Sequence, residues 1–424
     1  MRELYPNCFE EALPNGLKIL FESRPERPLS VGLWIKIGSR DETEKSSGIS
    51  HFLEHMVFKG TQHRTAFQIS EEIDALGGYI NAMTSKEYTA YYVDVLPQHL
   101  EKTMDILTDL IKTPLFQPDE LEKEKGVVLE EIRMQDDSPS DKVFDLFTER
   151  LWESHHPLSR PIIGSVETVS SFDREDLAEY FALYDASRIT LAVAGDINPA
   201  QLIRVAEKQL GMIPAKSGAL PKRTIPKPLA SSHTEDRDLQ QAHICLGTPG
   251  LARSDTRRFA LEVMATILGG GMSSRLFKRI REELGLAYAV SGQASYYSDS
   301  GFFVIYLGTD PKNASKALEV CWEEIGRIQH EPVPSETLWL AKEKLKGNLI
   351  LGLESSHSRM IRLGIADIYG THWPLEEVIQ RIEAVTINDV QQVAKDIFSD
   401  ESFTLTVVGP ERQLTSIQQT LPVS

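Results

Sequence analysis

The chain is predicted to be an α+β protein of two tandem domains, each a mainly antiparallel sheet with helices packed on one face. Three observations predict this. Its 424 residues suffice for two ordinary cores. The same order of strand-like and helix-like segments runs through both halves, and such mixed segments bury their apolar faces by layering helix on sheet. Between the halves, residues from about Gly211 to Ser232 are rich in Pro, Lys and Ser, the composition of a linker. The expected division is an N-terminal domain over 1–215, a linker over 216–232 and a homologous C-terminal domain over 233–424.

In the first half, Leu29-Ser30-Val31-Gly32-Leu33-Trp34-Ile35-Lys36-Ile37 reads as a strand that stops at Gly38-Ser39. From Gly48 to Phe58, Ile49, Phe52, Leu53 and Met56 fall at helical core spacing, the pattern of a packed helix. Leu76-Gly77-Gly78 breaks the chain, strands follow between Tyr79 and Val95, and a helix runs from Pro97 to Ile111. The second half repeats the order. Gln241–Gly247 is the strand, Phe259–Leu268 the helix, and strands run on from Leu284-Gly285-Leu286-Ala287-Tyr288 through Tyr306-Leu307 to a helix over Pro311–Ile328.

The first packed helix carries His51-Phe52-Leu53-Glu54-His55. Residues four apart stand on one helix face about a turn from each other, so the two imidazoles can chelate one ion. Both border the apolar stripe, a placement that suits a partly buried site. Glu54, one residue before the second His, can reach a water on the same ion. The order His-x-x-Glu-His inverts the commoner His-Glu-x-x-His. Taken alone, the five residues also fit an exposed helix face with two satisfied histidines.

A catalytic zinc site takes three protein donors and leaves the fourth position open. The stretch Pro118–Gln135 opens with proline and acids, a helix start, and one stripe of that helix runs Leu121, Glu124, Val128, Glu131 and Ile132. Two carboxylates thus occupy core positions, where an unpaired charge is costly or becomes protonated. A divalent metal and its histidines would resolve the conflict. Glu120, Glu122 and Glu130 read as facing water, and periodicity favours Glu131 over Glu130. The alternative is an ordinary acidic helix with all its Glu side chains in solvent.

The motif, followed by Met56-Val57-Phe58-Lys59-Gly60-Thr61, resembles the insulinase/pitrilysin family of zinc peptidases. It is most similar to the short-chain branch that includes the mitochondrial processing peptidase and its beta subunit. The likeness extends to Gly77-Gly78-Tyr79-Ile80-Asn81-Ala82-Met83-Thr84-Ser85 and to the C-terminal half, nearly the whole chain. It implies one zinc ion per chain held by His51, His55 and Glu131, the last 76 residues after His55. It also implies that Glu124 orients the site without necessarily binding metal. In the second half, Phe277–Tyr288 resembles the family's Arg-Glu-x-x-Gly-Leu-Ala-Tyr segment. That likeness makes Arg281 a contact to the substrate backbone and Tyr288 a donor to the developing oxyanion, which needs fixed donors in a water-poor site. The same residues also read as a surface Arg paired with Glu282 or Glu283 and a half-buried core Tyr.

Asn81-Ala82-Met83-Thr84 reads as an exposed strand beside the motif helix, to whose edge a peptide can add main chain to main chain. Asn81 matches a substrate-contacting position of the family. Asp141 and Asp145, one turn apart, match positions that receive a basic side chain near the cut, although Ser138-Pro139-Ser140 also reads as a helix start with Asp141 in its first turn. The second copy carries plain core residues, Phe259-Ala260-Leu261-Glu262-Val263-Met264-Ala265, where the first has ligands. The resemblance further implies a half-shell of a clamshell dimer, a homodimer or a heterodimer with a silent relative. Lys59 and His63 stand near the motif without an assigned role.

Composition narrows the function classes. With 41% hydrophobic and 25% charged residues the chain is of the soluble globular class. No apolar run approaches the ~20 residues that cross a bilayer. The N-terminal Met1-Arg2-Glu3-Leu4-Tyr5-Pro6-Asn7 lacks a signal layout, and Cys8, Cys245 and Cys321 make neither a disulfide framework nor a CxxC pair. A cytoplasmic protein is expected. The net charge of −17, with no basic cluster, argues against nucleic acid as a partner; lining a cleft, it would draw in cationic peptides. The expected activity is hydrolysis of peptide bonds in short or unfolded peptides held in an enclosed chamber, with Glu54 as general base and then acid. Two non-catalytic readings stand beside it: a scaffold or partner subunit of the same fold, and a peptide-binding clamshell.

Overall fold

A computed structural model of the protein describes residues 1–215, 222–399 and 403–410. Residues 216–221 of the expected linker, and 400–402 and 411–424 of the expected C-terminal domain, lie outside the described residues. The chain forms two compact units, and each is discontinuous in sequence. The first comprises Met1–Arg133, Arg160–Arg223 and Leu351–Pro374; the second comprises Met134–Ser159, Thr224–Ile350 and Leu375–Ser424.

The first unit is built on a seven-stranded sheet. Its strands are β1 (Arg2–Tyr5), β2 (Cys8–Ala12), β3 (Lys18–Ser23), β4 (Leu29–Ile35), β5 (Tyr79–Thr84), β6 (Thr89–Val95) and β7 (Ile189–Gly195), in the order β1-β2-β3-β7-β4-β6-β5. Only β3 and β7 run parallel. Every residue of β4 and β7 is buried, and apart from Ser30 and Thr190 none carries a polar side chain, so these strands are nearly continuous apolar runs rather than alternating ones. Val31, Leu33 and Val193 point into the main core with Phe52, Met104 and Leu202 from the helices Ile49–Met56, Leu100–Lys112 and Pro199–Leu210. Trp34 and Ala192 point the other way, where Met360 and Leu363 of the helix Ser356–Tyr369 cover them. The Trp34 indole Nε1–H donates to Met360 Sδ at 3.3 Å.

The second unit repeats the plan on a five-stranded sheet of β8 (Ser231–Asp236), β9 (Ala242–Pro249), β10 (Ala287–Tyr296), β11 (Gly301–Thr309) and β12 (Thr404–Gly409). The order is β10-β11-β9-β12-β8, and only β12 and β8 are parallel. Helices Arg258–Gly269, Ala314–His330 and Ile387–Ile397 make its main helical layer. On the opposite face, Val143 and Phe147 of the helix Pro139–Leu151 pack on Cys245, Val304 and Val408.

Each sheet therefore has its helical layer on one face, as expected, and gains one further helix on the other. That extra helix comes from the other half of the chain in both cases. Sheets whose central strands are apolar on both faces need two covers, and a contiguous half supplies only one. Part of the expected linker is also structured: Pro228 bridges to Trp152, and β8 starts at Ser231.

Candidate metal centre

The motif helix Ile49–Met56 begins at Gly48, whose φ of 94° is left-handed and whose Cα side abuts Gly164. A Cβ there would lie 2.7 Å from the Ile163 carbonyl oxygen, so the turn into the helix requires glycine. The free N–H groups of the first turn are met from a distance. Gly48 and Ser50 donate to the two oxygens of Glu42, each at 2.8 Å, and Ser50 Oγ shares a 2.7 Å bond with the Tyr180 hydroxyl. Burial pushes the Glu42 carboxyl up to about 7, against the pull of the Ser50 and Gly48 bonds and of Arg160. Ile49, Phe52, Leu53 and Met56 are buried, which leaves His51, Glu54 and His55 along the edge of the packed face.

The long helix Pro118–Asp137 faces it, with Leu121, Glu124 and Val128 buried. Glu131 is partly exposed and its Oε2 lies 3.9 Å from His51 Nε2 and 3.6 Å from His55 Nε2. One donor atom from each of the three residues falls within 4.8 Å of the others. Two imidazole nitrogens and a carboxylate oxygen are a zinc-type donor set. Bonds of about 2.0–2.2 Å in a tetrahedral array put donors roughly 3.4 Å apart, close to the spacing here. The three residues therefore fit a zinc ion.

Around them the electrostatics are graded. Burial, with the neighbouring His55, pushes His51 down to about 4, so its ring is a neutral donor at physiological pH. For His55, burial also pulls downward, but the Glu124 bond and the charges of Glu131, Glu124 and Glu54 outweigh it and carry the net shift upward. Glu124 accepts from His55 Nδ1 at 2.8 Å and from Lys59 Nζ at 2.6 Å, and these bonds overcome its burial to hold it below the usual range. Burial raises Glu54, whose Oε2 accepts a hydrogen bond from Thr84 Oγ1 on β5.

β5 is the edge of the sheet, and the motif helix packs beside it. The Ala82 N–H points away from β6 and is held by the Asn81 side-chain oxygen at 2.9 Å, while Asn81 Nδ2 donates to the Tyr79 hydroxyl at 3.0 Å. Asn81 alternates with Ala82 and Thr84, so its side chain sits on the sheet face away from Glu54 and reaches the edge.

The remaining expected site residues lie in the second unit. Arg281 stacks its guanidinium 5.0 Å from both the Phe277 and Tyr288 rings, and Tyr288 is 75% exposed, so it is no core tyrosine. Glu283 pairs with Arg279 rather than Arg281. Asp141 is exposed in the first turn of Pro139–Leu151, the ordinary helix-start position, and Asp145 accepts from Gln135 at 2.8 Å. Thr84 and Glu42 were not legible as site residues. Thr84 sits within a strand pattern, and Glu42 caps a helix six residues away, outside the local capping spacing.

Residues 18–166 match the family described as Insulinase (Peptidase family M16), and residues 171–345 match the Peptidase M16 inactive domain. A zinc protease of Bacillus subtilis (strain 168) is 40% identical over 409 residues, 95% of this chain and 98% of its own. A zinc protease of Streptomyces coelicolor is 38% identical over 413 residues, 94% of this chain and 88% of its own. A solved protease from Helicobacter pylori superposes with a TM-score of 0.91 at 23% identity, covering 96% of this chain and 100% of that one, a likeness of fold. The repeat of one domain design, a zinc donor set that among the described residues occurs in the first copy only, and these matches agree: the chain belongs to the insulinase family of peptidases, family M16.

Proposed function

We propose that this protein is a zinc-dependent endopeptidase acting on short or unfolded peptides. The observation that carries the reading is the convergence of His51, His55 and Glu131 beside a partly buried Glu54. When bound by those three residues, zinc supplies Lewis-acid polarisation of the scissile carbonyl and acidifies water. Glu54 accepts the proton of the attacking water, a role helped by its raised affinity for protons, and passes it to the leaving amine. Thr84 holds one Glu54 oxygen and leaves the other for that proton. The substrate adds to the free edge of β5, its carbonyl replacing the Asn81 oxygen on the Ala82 N–H. Such pairing reads main chain rather than sequence.

Tyr288 and Arg281 are assigned to the oxyanion and the substrate backbone, and Asp141 and Asp145 to a basic side chain of the substrate. Their exposure or half-exposure leaves them accessible to a peptide. The working unit is a homodimer, or a pair with a silent relative, in the cytoplasm. Among the described residues no helix is long and apolar enough to cross a membrane.

The test is cleavage of an unstructured fluorogenic peptide by the purified protein, alone, with a chelator, and with zinc restored. Activity lost with chelator and regained with zinc is the expected result. Peptide binding without cleavage, in protein loaded with zinc, would overturn the assignment in favour of a non-catalytic clamshell.

A further inference from the structure

His51, His55 and Lys59 follow one another at four-residue spacing, the last in the short 3₁₀ turn Val57–Lys59 that extends the motif helix. On the facing helix Glu124 and Glu131 stand seven apart on one stripe. The two rows interlock. Glu131 faces the Nε2 atoms of both histidines, and Glu124 sits between His55 and Lys59. Each Glu124 oxygen has its own partner: Oε1 takes His55 Nδ1 and Oε2 takes Lys59 Nζ.

We propose that Lys59 is a positioning residue of the metal centre, acting through Glu124 to fix the His55 ring with Nε2 turned toward Glu131. This rests on the metal-centre reading above. The last torsion of a glutamate is broad and soft, so a carboxylate gripped at one oxygen can still swing its plane. Gripped at both, with only 3% of Glu124 exposed, it cannot. A bond to Nδ1 fixes both the ring's orientation and its tautomer, which leaves Nε2 as the donor atom. Among the described residues His51 offers no second anchor of this kind, since its Nδ1 is buried there without a hydrogen-bond partner. The orientation of the two-histidine pair therefore depends on the Lys59–Glu124–His55 chain.

Charge and position predict opposite signs here, which makes the experiment decisive. Removing a cation near a metal site tightens metal binding by charge alone, whereas loss of an orienting partner loosens it. Zinc affinity would be measured by competition with a chromophoric chelator for the full chain and for Lys59→Met, Lys59→Gln and Lys59→Arg, with His51→Ala and Glu131→Gln as controls. The His55 Nδ1 proton, expected to exchange slowly while bound to Glu124, would be followed by NMR. We expect Lys59→Met to bind zinc about tenfold more weakly and to lose that proton signal, with Lys59→Arg recovering most of both. Lys59→Gln, which keeps a donor without the charge, is expected between them and serves if the Met variant does not fold. Unchanged or tighter binding in Lys59→Met and Lys59→Gln, with the controls still losing zinc, overturns this inference and leaves the metal centre standing. Controls that bind zinc like the parent overturn the metal centre itself.

Discussion

At the scale of single residues, the site divides its tasks by environment. The two histidines share a motif but not a setting: burial lowers His51, while the carboxylates around His55 raise it. Glu54 and Glu124 are both acids beside the same ligands, yet one is shifted up by burial and the other down by its partners Lys59 and His55. Under the proposed mechanism, the group that trades protons and the group that stays fixed are thereby separated. Glu54→Gln is expected to keep full zinc content by elemental analysis and to lose at least a hundredfold in kcat, roughly the scale of a general base. Normal turnover in that variant would remove Glu54 from the mechanism. The sequence showed His51, His55 and Glu54 through spacing, and Glu124 and Glu131 through carboxylates at apolar positions. It gave no sign of Thr84, whose bond to Glu54 arises only when β5 docks beside the motif helix.

At the scale of elements, β5 and the helix entry turn set what the residues can do. An edge strand offers every second N–H to a partner, and Ala82 is one of these, satisfied here by the Asn81 side chain. Ala82→Pro removes that donor while leaving the β5–β6 ladder intact. We expect kcat/KM for an extended peptide to fall about tenfold, the worth of one hydrogen bond, with little change in the unfolding midpoint. An unaffected kcat/KM would argue against strand addition at this edge. Strands β4, β5, β6, β9, β10 and β11, the motif helix and the helices near Pro97, Phe259 and Pro311 were legible because their apolar spacing is local, whereas β1, β2, β3, β7, β8 and β12 were not read as strands. The pairing of β3 with β7, parallel and more than 160 residues apart in sequence, was not, because register across such a gap leaves no periodic trace.

At the scale of the whole molecule, the notable feature is that each compact unit borrows a helix from the other half of the chain. In the first unit this helix is tightly seated. A Cβ on Gly364 would stand 2.0 Å from Trp34 Cε2, so Gly364→Ala should cost about 3 kcal/mol, seen as a lower midpoint in thermal unfolding. The same helix is anchored by Asp367, whose buried carboxylate takes Thr190 Oγ1 at 2.6 Å and Lys36 at 2.9 Å, with Lys18 and His372 alongside. Burial would raise Asp367, but His372, Lys36, Lys18 and Thr190 together hold it far below the usual carboxylate range. A depressed folded pKa contributes stability that is present above the unfolded value of about 3.9 and is lost as pH falls below it. Asp367→Asn should therefore lower the unfolding midpoint at neutral pH, and the gap from the parent should shrink steadily below about pH 4. A gap that is constant with pH would show that the carboxylate's charge is not what anchors the helix.

Length and the repeated order of segments were enough to read the two-domain α+β plan, the resemblance of the motif segments pointed to the family, and spacing along two separate helices marked the candidate donors. The motif histidines share a helix face, and Glu124 and Glu131 share another. Which helix covers which sheet face, how Glu42 caps the motif helix, and how Lys59 reaches Glu124 emerge only in the folded chain. Those outcomes depend on where separate segments meet. Apolar area and hydrogen-bond donors constrain that meeting only through the packing of the whole, not through any local pattern.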